Sequence, residues 1–128
     1  MEINILSYSY GDDYYQKQLE SDFNEYATKN NLNIKVKFEL LKLEQIKDVY
    51  TYFNSIVESF LKKYSSKKNE SPYDLYLYDS RYTYIYGPYL LDLKDNLPKE
   101  LIETYDTRIL KEGCTYKEKL VGLVKSSQ

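Results

Sequence analysis

The residues best suited to contact a ligand stand in two short segments, each directly after a predicted β-strand. The first segment carries Tyr8, Tyr10 and Asp12, and the second carries Asp79, Arg81 and Tyr82. Aspartate and arginine form charge-assisted hydrogen bonds with hydroxyl or carboxylate groups, and tyrosine combines an aromatic face with a polar tip. These side chains are therefore candidate contacts for the hydroxyl or carboxylate groups of a small ligand. Taken one at a time, the aspartates are equally suited to capping helices and the tyrosines to ordinary packing.

The residue types that most enzyme chemistry needs are missing. The chain contains no histidine, which is the commonest general base at neutral pH and the commonest metal ligand. Its single cysteine, Cys114, cannot form an internal disulfide or a thiolate metal site. The sequence has no phosphate-binding loop, dinucleotide-binding glycine pattern or metal-ligand spacing, and no two carboxylates stand out as a catalytic pair. We therefore predict that the protein is not an enzyme and uses no cofactor or metal.

The charge balance disfavours nucleic acid as a partner. Lysine and arginine total 18 against 20 aspartate and glutamate, so the net charge of -2 gives no general attraction to phosphate backbones or anionic lipid. A lysine-rich stretch at residues 62–68 falls at the predicted end of a helix, where cations complement the helix dipole. No run approaches the roughly 18 apolar residues that a membrane span needs, and the chain opens without a recognisable signal peptide.

Two further features have both a functional and a structural interpretation. A tyrosine cluster offers either stacking faces for a ligand or a packed layer beside the sheet: Tyr82, Tyr84, Tyr86 and Tyr89. The triplet Asn69-Glu70-Ser71 matches an N-glycosylation acceptor in a predicted loop, although Pro72 directly follows it.

The elements that position these residues follow from the hydrophobic periodicity. Residues 3–8 are β-branched and apolar and predict a strand, and residues 13–30 predict an amphipathic helix. The apolar stripe of that helix is formed by Tyr15, Leu19, Phe23, Tyr26 and Ala27. Residues 32–40 alternate between apolar and polar and predict a second strand near a sheet edge.

A longer helix follows over residues 46–64, with a broad apolar stripe that includes Phe53, Val57 and Phe60. Residues 73–79 are apolar on both faces and predict a third strand covered by helices on each side. Because strand-helix-strand crossovers are right-handed, the three strands should form a parallel sheet in the order 2-1-3. The predicted fold is thus a three-layer α/β unit of the β-α-β-α-β type. The two ligand segments should converge at the carboxyl ends of the first and third strands.

The last third of the chain is less regular. Gly87-Pro88 interrupts an aromatic segment, a short helix is predicted over residues 99–105 after Pro98, and Gly113 is a helix stop. The polar tail at residues 125–128 is expected to fray. We predict one α/β domain over residues 1–128.

Taken in order, these segments resemble the opening of the type II periplasmic-binding-protein superfamily, specifically the extracellular solute-binding proteins. Residues 3–8 are similar to the family's first strand and residues 34–36 to its second strand. Residues 19–30 are similar to its first helix, including the Phe-Asn-x-Tyr pattern at residues 23–26.

The later segments carry the more specific part of the resemblance. Residues 73–79 resemble the family's Pro-Asp-hydrophobic third strand, and residues 89–93 the Leu-hydrophobic-Asp-Leu segment after it. Residues 116–123 resemble the Tyr-x-Gly-Lys strand that crosses toward the second lobe of the family. Glu118 stands in place of the family's usual glycine, and Val124 in place of its proline.

The resemblance covers nearly the whole chain but only the opening third of a family member, so it implies a partial first lobe that binds a solute. It also implies an extracellular or periplasmic location. The implied partners are a second lobe, a membrane transporter for uptake, or a fused seven-helix receptor. The alternative is a protein-interaction or structural domain whose uncovered apolar face pairs with another chain and which has no small-molecule ligand.

Overall fold

The computed structural model describes residues 1–9, 14–42 and 49–124. Their contacts divide the chain into two compact units, residues 1–78 and residues 79–128, and each unit is treated by itself below. Tyr10 and Asp12 fall outside the described residues, as do the start of the second predicted helix and the C-terminal tail.

The first unit is an α/β layer structure around a parallel sheet. Its strands are β1 (Glu2–Ser9), β2 (Lys35–Lys42) and β3 (Leu75–Tyr76), and its helices are α1 (Tyr14–Lys29) and α2 (Val49–Lys63). The sheet order is β2-β1-β3, as predicted, with both pairs parallel. The connections β1-α1-β2 and β2-α2-β3 run in opposite directions across the sheet, so crossovers of the usual right hand place the two helices on opposite faces.

Helix α2 buries the face that the sequence predicts. Phe53 and Val57 are both fully buried, and Leu6 of β1 is equally inaccessible to solvent. The ring of Tyr8 lies 4.8 Å from that of Phe53, which shows that α2 covers the face of β1 that carries Tyr8. This contact joins α2 to β1 within the first unit.

Helix α1 does not pack as its apolar stripe predicts. Of the stripe residues only Ala27 is buried, while Tyr15, Leu19, Phe23 and Tyr26 keep between 36 and 57 % of their surface exposed. The helix is held instead through a polar side chain: Asn24 Nδ2 donates to the Val36 carbonyl at 2.9 Å, and Asn24 Oδ1 accepts from the Val36 amide at 2.8 Å. The face of α1 that carries Asn24 therefore lies against β2, and the stripe is largely uncovered.

Strand β3 is shorter and less covered than its apolar sequence predicts. Only Leu75 and Tyr76 pair with β1, and Leu75 is 53 % exposed. Among the described strands the central position belongs to β1, and β2 lies at an edge as predicted. The interpretation of residues 73–79 as a strand covered on both sides is therefore wrong for the Leu75 face.

The second unit consists of short helices and one hairpin. Its helices are α3 (Thr83–Tyr86), α4 (Lys99–Glu103) and α5 (Thr107–Gly113), and strands β4 (Thr115–Tyr116) and β5 (Lys119–Leu120) pair antiparallel. The predicted short helix after Pro98 and the stop at Gly113 are both present. Its core is formed by Leu110, Cys114 and Leu120, with Leu93, Ile102, Tyr105 and Leu123 packed against them.

The hairpin corrects the expectation of one strand over residues 116–123. The chain reverses at Lys117, whose φ of 50° lies in the left-handed region. Glu118, which stands at the glycine position of the resembled pattern, is not among the described residues with positive φ. The turn therefore places its left-handed residue one position earlier in the chain.

None of the described helices is long and apolar enough to cross a membrane.

Candidate functional site

The sheet topology of the first unit identifies the candidate site as the end of the sheet at which the carboxyl ends of β1 and β3 lie. From β1 the chain crosses to β2 on one side, and from β2 it returns to β3 on the other side of β1. Neighbouring parallel strands whose connections leave in opposite directions form a topological switch point, and ligands of open α/β sheets bind outside its carboxyl ends. The Leu77 amide donates a hydrogen bond to the Leu6 carbonyl at 3.0 Å, so the chain segments of β1 and β3 remain adjacent toward their carboxyl ends.

Tyr8 lies at this end of the sheet, one residue before β1 finishes. Its side chain is half-buried because one side of the ring packs against Phe53. Its backbone carbonyl accepts a long hydrogen bond of 3.4 Å from Gln16 Nε2 in the first turns of α1. Tyr8 therefore serves the core of the first unit and also lines the carboxyl end of the sheet. The roles predicted for Tyr10 and Asp12 remain predictions.

Gln16 is a residue that the sequence reasoning missed. Its Oε1 atom is buried and has no hydrogen-bond partner, whereas buried polar side-chain atoms in native proteins almost always have one. The amide is fixed beside the end of β1 through its bond to the Tyr8 carbonyl. This unpaired acceptor is a polar group buried beside the carboxyl end of β1, and burying it without a partner costs free energy. In the sequence, the one signal for Gln16 was that it is a polar residue next to the apolar stripe of α1.

Asp79 and Arg81 form a direct ion pair in the second unit. Asp79 Oδ1 accepts from the Arg81 backbone amide at 2.9 Å and caps a 3-10 helix over Ser80–Tyr82. Asp79 Oδ2 accepts from Arg81 Nη2 at 2.7 Å and from Arg81 Nε at 3.1 Å. The capping interpretation of Asp79 is thus confirmed. The hydrogen bonds from the Arg81 side chain and then from its backbone amide hold the pKa of the Asp79 carboxyl below its ordinary value.

The exposure of this pair decides what it can do. The Arg81 side chain is 71 % exposed and that of Asp79 is 25 % exposed, so solvent reaches both groups. Arg81 occupies three of about four lone-pair positions of the carboxylate. The pair has no net charge, and it lies at the surface of the second unit.

The tyrosine cluster of the second unit separates into packed and exposed members. Tyr82 stacks on Tyr86 with ring centroids 5.9 Å apart and an interplanar angle of 17°, and Tyr86 is buried. Tyr84 points into solvent. The packed-layer interpretation is therefore correct for Tyr86. Tyr82 is half-buried, and its ring stacks on that of Tyr86.

The six predicted residues are thus distributed over two compact units, and their convergence on one ligand stays a prediction. Across the described part of the chain, no group of three or more cysteine or acidic residues is placed to hold a metal ion. Comparison of the chain with family models, with curated proteins and with solved structures finds no match. The resemblance to solute-binding proteins accordingly depends on the sequence segments described above.

Proposed function

We propose that this chain is a non-enzymatic binding module that recognises a small polar ligand, such as a sugar or an oligopeptide, for uptake or as part of a receptor ectodomain. The observation that supports it is the switch point between β1 and β3, since this is where open α/β sheets bind ligands. Tyr8 and Tyr10 would supply aromatic faces, and Asp12 would accept hydroxyl or amide hydrogens. Asp79, Arg81 and Tyr82 would complete the ligand contacts.

The expected affinity of the chain by itself is low. A ligand pocket normally buries 70–90 % of a small ligand, whereas a partial lobe provides one wall. We expect dissociation constants no better than about 1 mM, roughly -4 kcal/mol at the standard state. A micromolar constant for the monomer would contradict the single-wall proposal.

Amide chemical-shift mapping suits this affinity range. The chain would be titrated with glucose, maltose and trialanine to tens of millimolar, and saturating shifts are expected for amides at residues 5–9 and 77–82. Arg81→Ala should abolish the response of residues 77–82. Arg108→Ala is the matched control because Arg108 also pairs with a carboxylate of its unit, Glu112, at 3.2 Å. The proposal fails if none of the probes shifts these amides, or if both variants lose the response equally.

A protein-interaction domain is the second candidate, and the exposed stripe of α1 favours it. Four large apolar side chains on one helix face outline a patch of the kind that marks association surfaces. The partner to test first is a second copy, because a two-fold axis across an antiparallel pair of α1 helices would set Leu19 against Phe23. Sedimentation equilibrium should then show a dimer that Phe23→Glu disrupts. Tyr14→Glu, on the same helix but off the stripe, should leave it intact, and a wild-type monomer at all concentrations would exclude self-association.

A further inference from the structure

We infer that Asn69 is an N-glycosylation site. Residues 69–71 form the chain's only Asn-x-Ser/Thr triplet with a residue other than proline at the middle position. Asn69 lies within a 3-10 turn over Lys68–Glu70, and its side chain is exposed. The triplet therefore sits on a surface loop, where an attached glycan would contact solvent.

The surroundings of Asn69 are polar and open. The residue lines a surface depression together with Ser65, Ser66, Lys67 and Glu70. No large apolar side chain belongs to that lining, so a sugar attached to the amide would displace no core contact. The Ser71 hydroxyl donates to the Tyr73 carbonyl at 2.9 Å, so the hydroxyl of the triplet is already engaged in the folded chain. Modification should therefore occur before this turn closes, while the chain is still extended.

The loop that carries Asn69 lies at the amino end of the sheet, and the candidate ligand site lies at the opposite, carboxyl end. It precedes β3, where the Asp74 amide bonds the Asn4 carbonyl at 2.8 Å, near the amino end of β1. The carboxyl ends of β1 and β3 point the other way. A glycan on Asn69 would consequently leave the switch point accessible to ligand.

The reaction requires a lipid-pyrophosphate-linked oligosaccharide as the sugar donor. The Asn69 amide nitrogen forms a bond to the anomeric carbon while the bond from that carbon to the pyrophosphate oxygen breaks. The amide loses one proton, and the lipid pyrophosphate leaves with the electron pair. Pro72 restricts Ser71 to extended conformations, so occupancy should be partial in the wild-type chain and higher in Pro72→Ala.

The inference depends on the extracellular placement in the proposed function, and the experiment separates the two. The full chain, preceded by a cleavable secretory signal, would be produced in yeast and analysed by electrophoresis with and without peptide-N-glycosidase. We expect one glycosidase-sensitive band that Asn69→Gln and Ser71→Ala both abolish. Asn96→Gln, which changes an exposed asparagine outside any acceptor triplet, should leave the band unchanged.

Two outcomes would overturn the inference. The first is a wild-type chain that reaches the medium unmodified, even if Pro72→Ala becomes glycosylated. The second is a glycosidase-sensitive band that persists in Asn69→Gln. Neither outcome affects the ligand titration, which uses unglycosylated protein, so failure of the glycan site leaves the proposed binding function independently testable.

Discussion

Replacing Phe53 with alanine should disrupt the first unit more than any surface change. The side chain is fully buried and lies 4.8 Å from the Tyr8 ring. Burial of a phenylalanine and the cavity its loss creates are together worth about 3–5 kcal/mol. Small domains have about 5–15 kcal/mol of stability in all, so the variant should be close to unfolded at 37 °C.

Urea denaturation followed by circular dichroism would measure this loss. The control is Tyr52→Ala, one residue earlier on α2, where the side chain is 45 % exposed and the expected change is within about 0.5 kcal/mol. Hydrogen exchange would show whether the destabilisation is confined to the amides of residues 1–78. Equal urea midpoints for the two variants would mean that α2 does not cover β1 through Phe53, and the architecture described for the first unit would then be incorrect.

Three further substitutions test separate contacts. Asn24→Leu should destabilise the first unit by about 1–3 kcal/mol in urea, because the edge of β2 loses both hydrogen bonds from that amide. Gly87→Ala should destabilise the second unit by about 1–3 kcal/mol in the same assay, since an added Cβ would lie 2.1 Å from Cγ of Tyr116. Burial and then the hydrogen bond to Glu39 raise the pKa of Tyr73. The stability this provides is complete below the phenol's unfolded pKa of about 10 and is lost as pH rises above it. Tyr73→Phe should therefore flatten the decline of the urea midpoint in the alkaline range, and an unchanged decline would contradict that assignment.

The candidate site was predictable where it depends on strand order. Residues 3–8 and 73–79 identify two strands, and the predicted order 2-1-3, which the structure has, sets them side by side in the sheet. Tyr8 follows directly from that reasoning. Gln16 does not, because an unpaired buried acceptor can be recognised only when the neighbours of each atom are known.

The sequence by itself determined the strands and helices of the first unit and the buried face of α2. Strand and helix periods are local properties, and the stripe through Phe53 and Val57 was long enough to identify the buried face of α2. The sheet has the predicted order β2-β1-β3. Chirality fixes only the face on which each connecting helix lies, because a sequential order of the three strands also has right-handed crossovers.

Only the tertiary structure decided how α1 packs and how the chain reverses near Lys117. The apolar stripe of α1 predicts a buried face, but the face of α1 that lies against β2 is the one that carries Asn24, whose amide forms two hydrogen bonds with Val36, and the stripe stays largely exposed. At Lys117 a non-glycine residue adopts a φ of 50° because the hairpin beyond it pairs and buries Leu120. In both places the deciding groups are distant in the chain or act through backbone geometry, and hydrophobic periodicity carries no information about either.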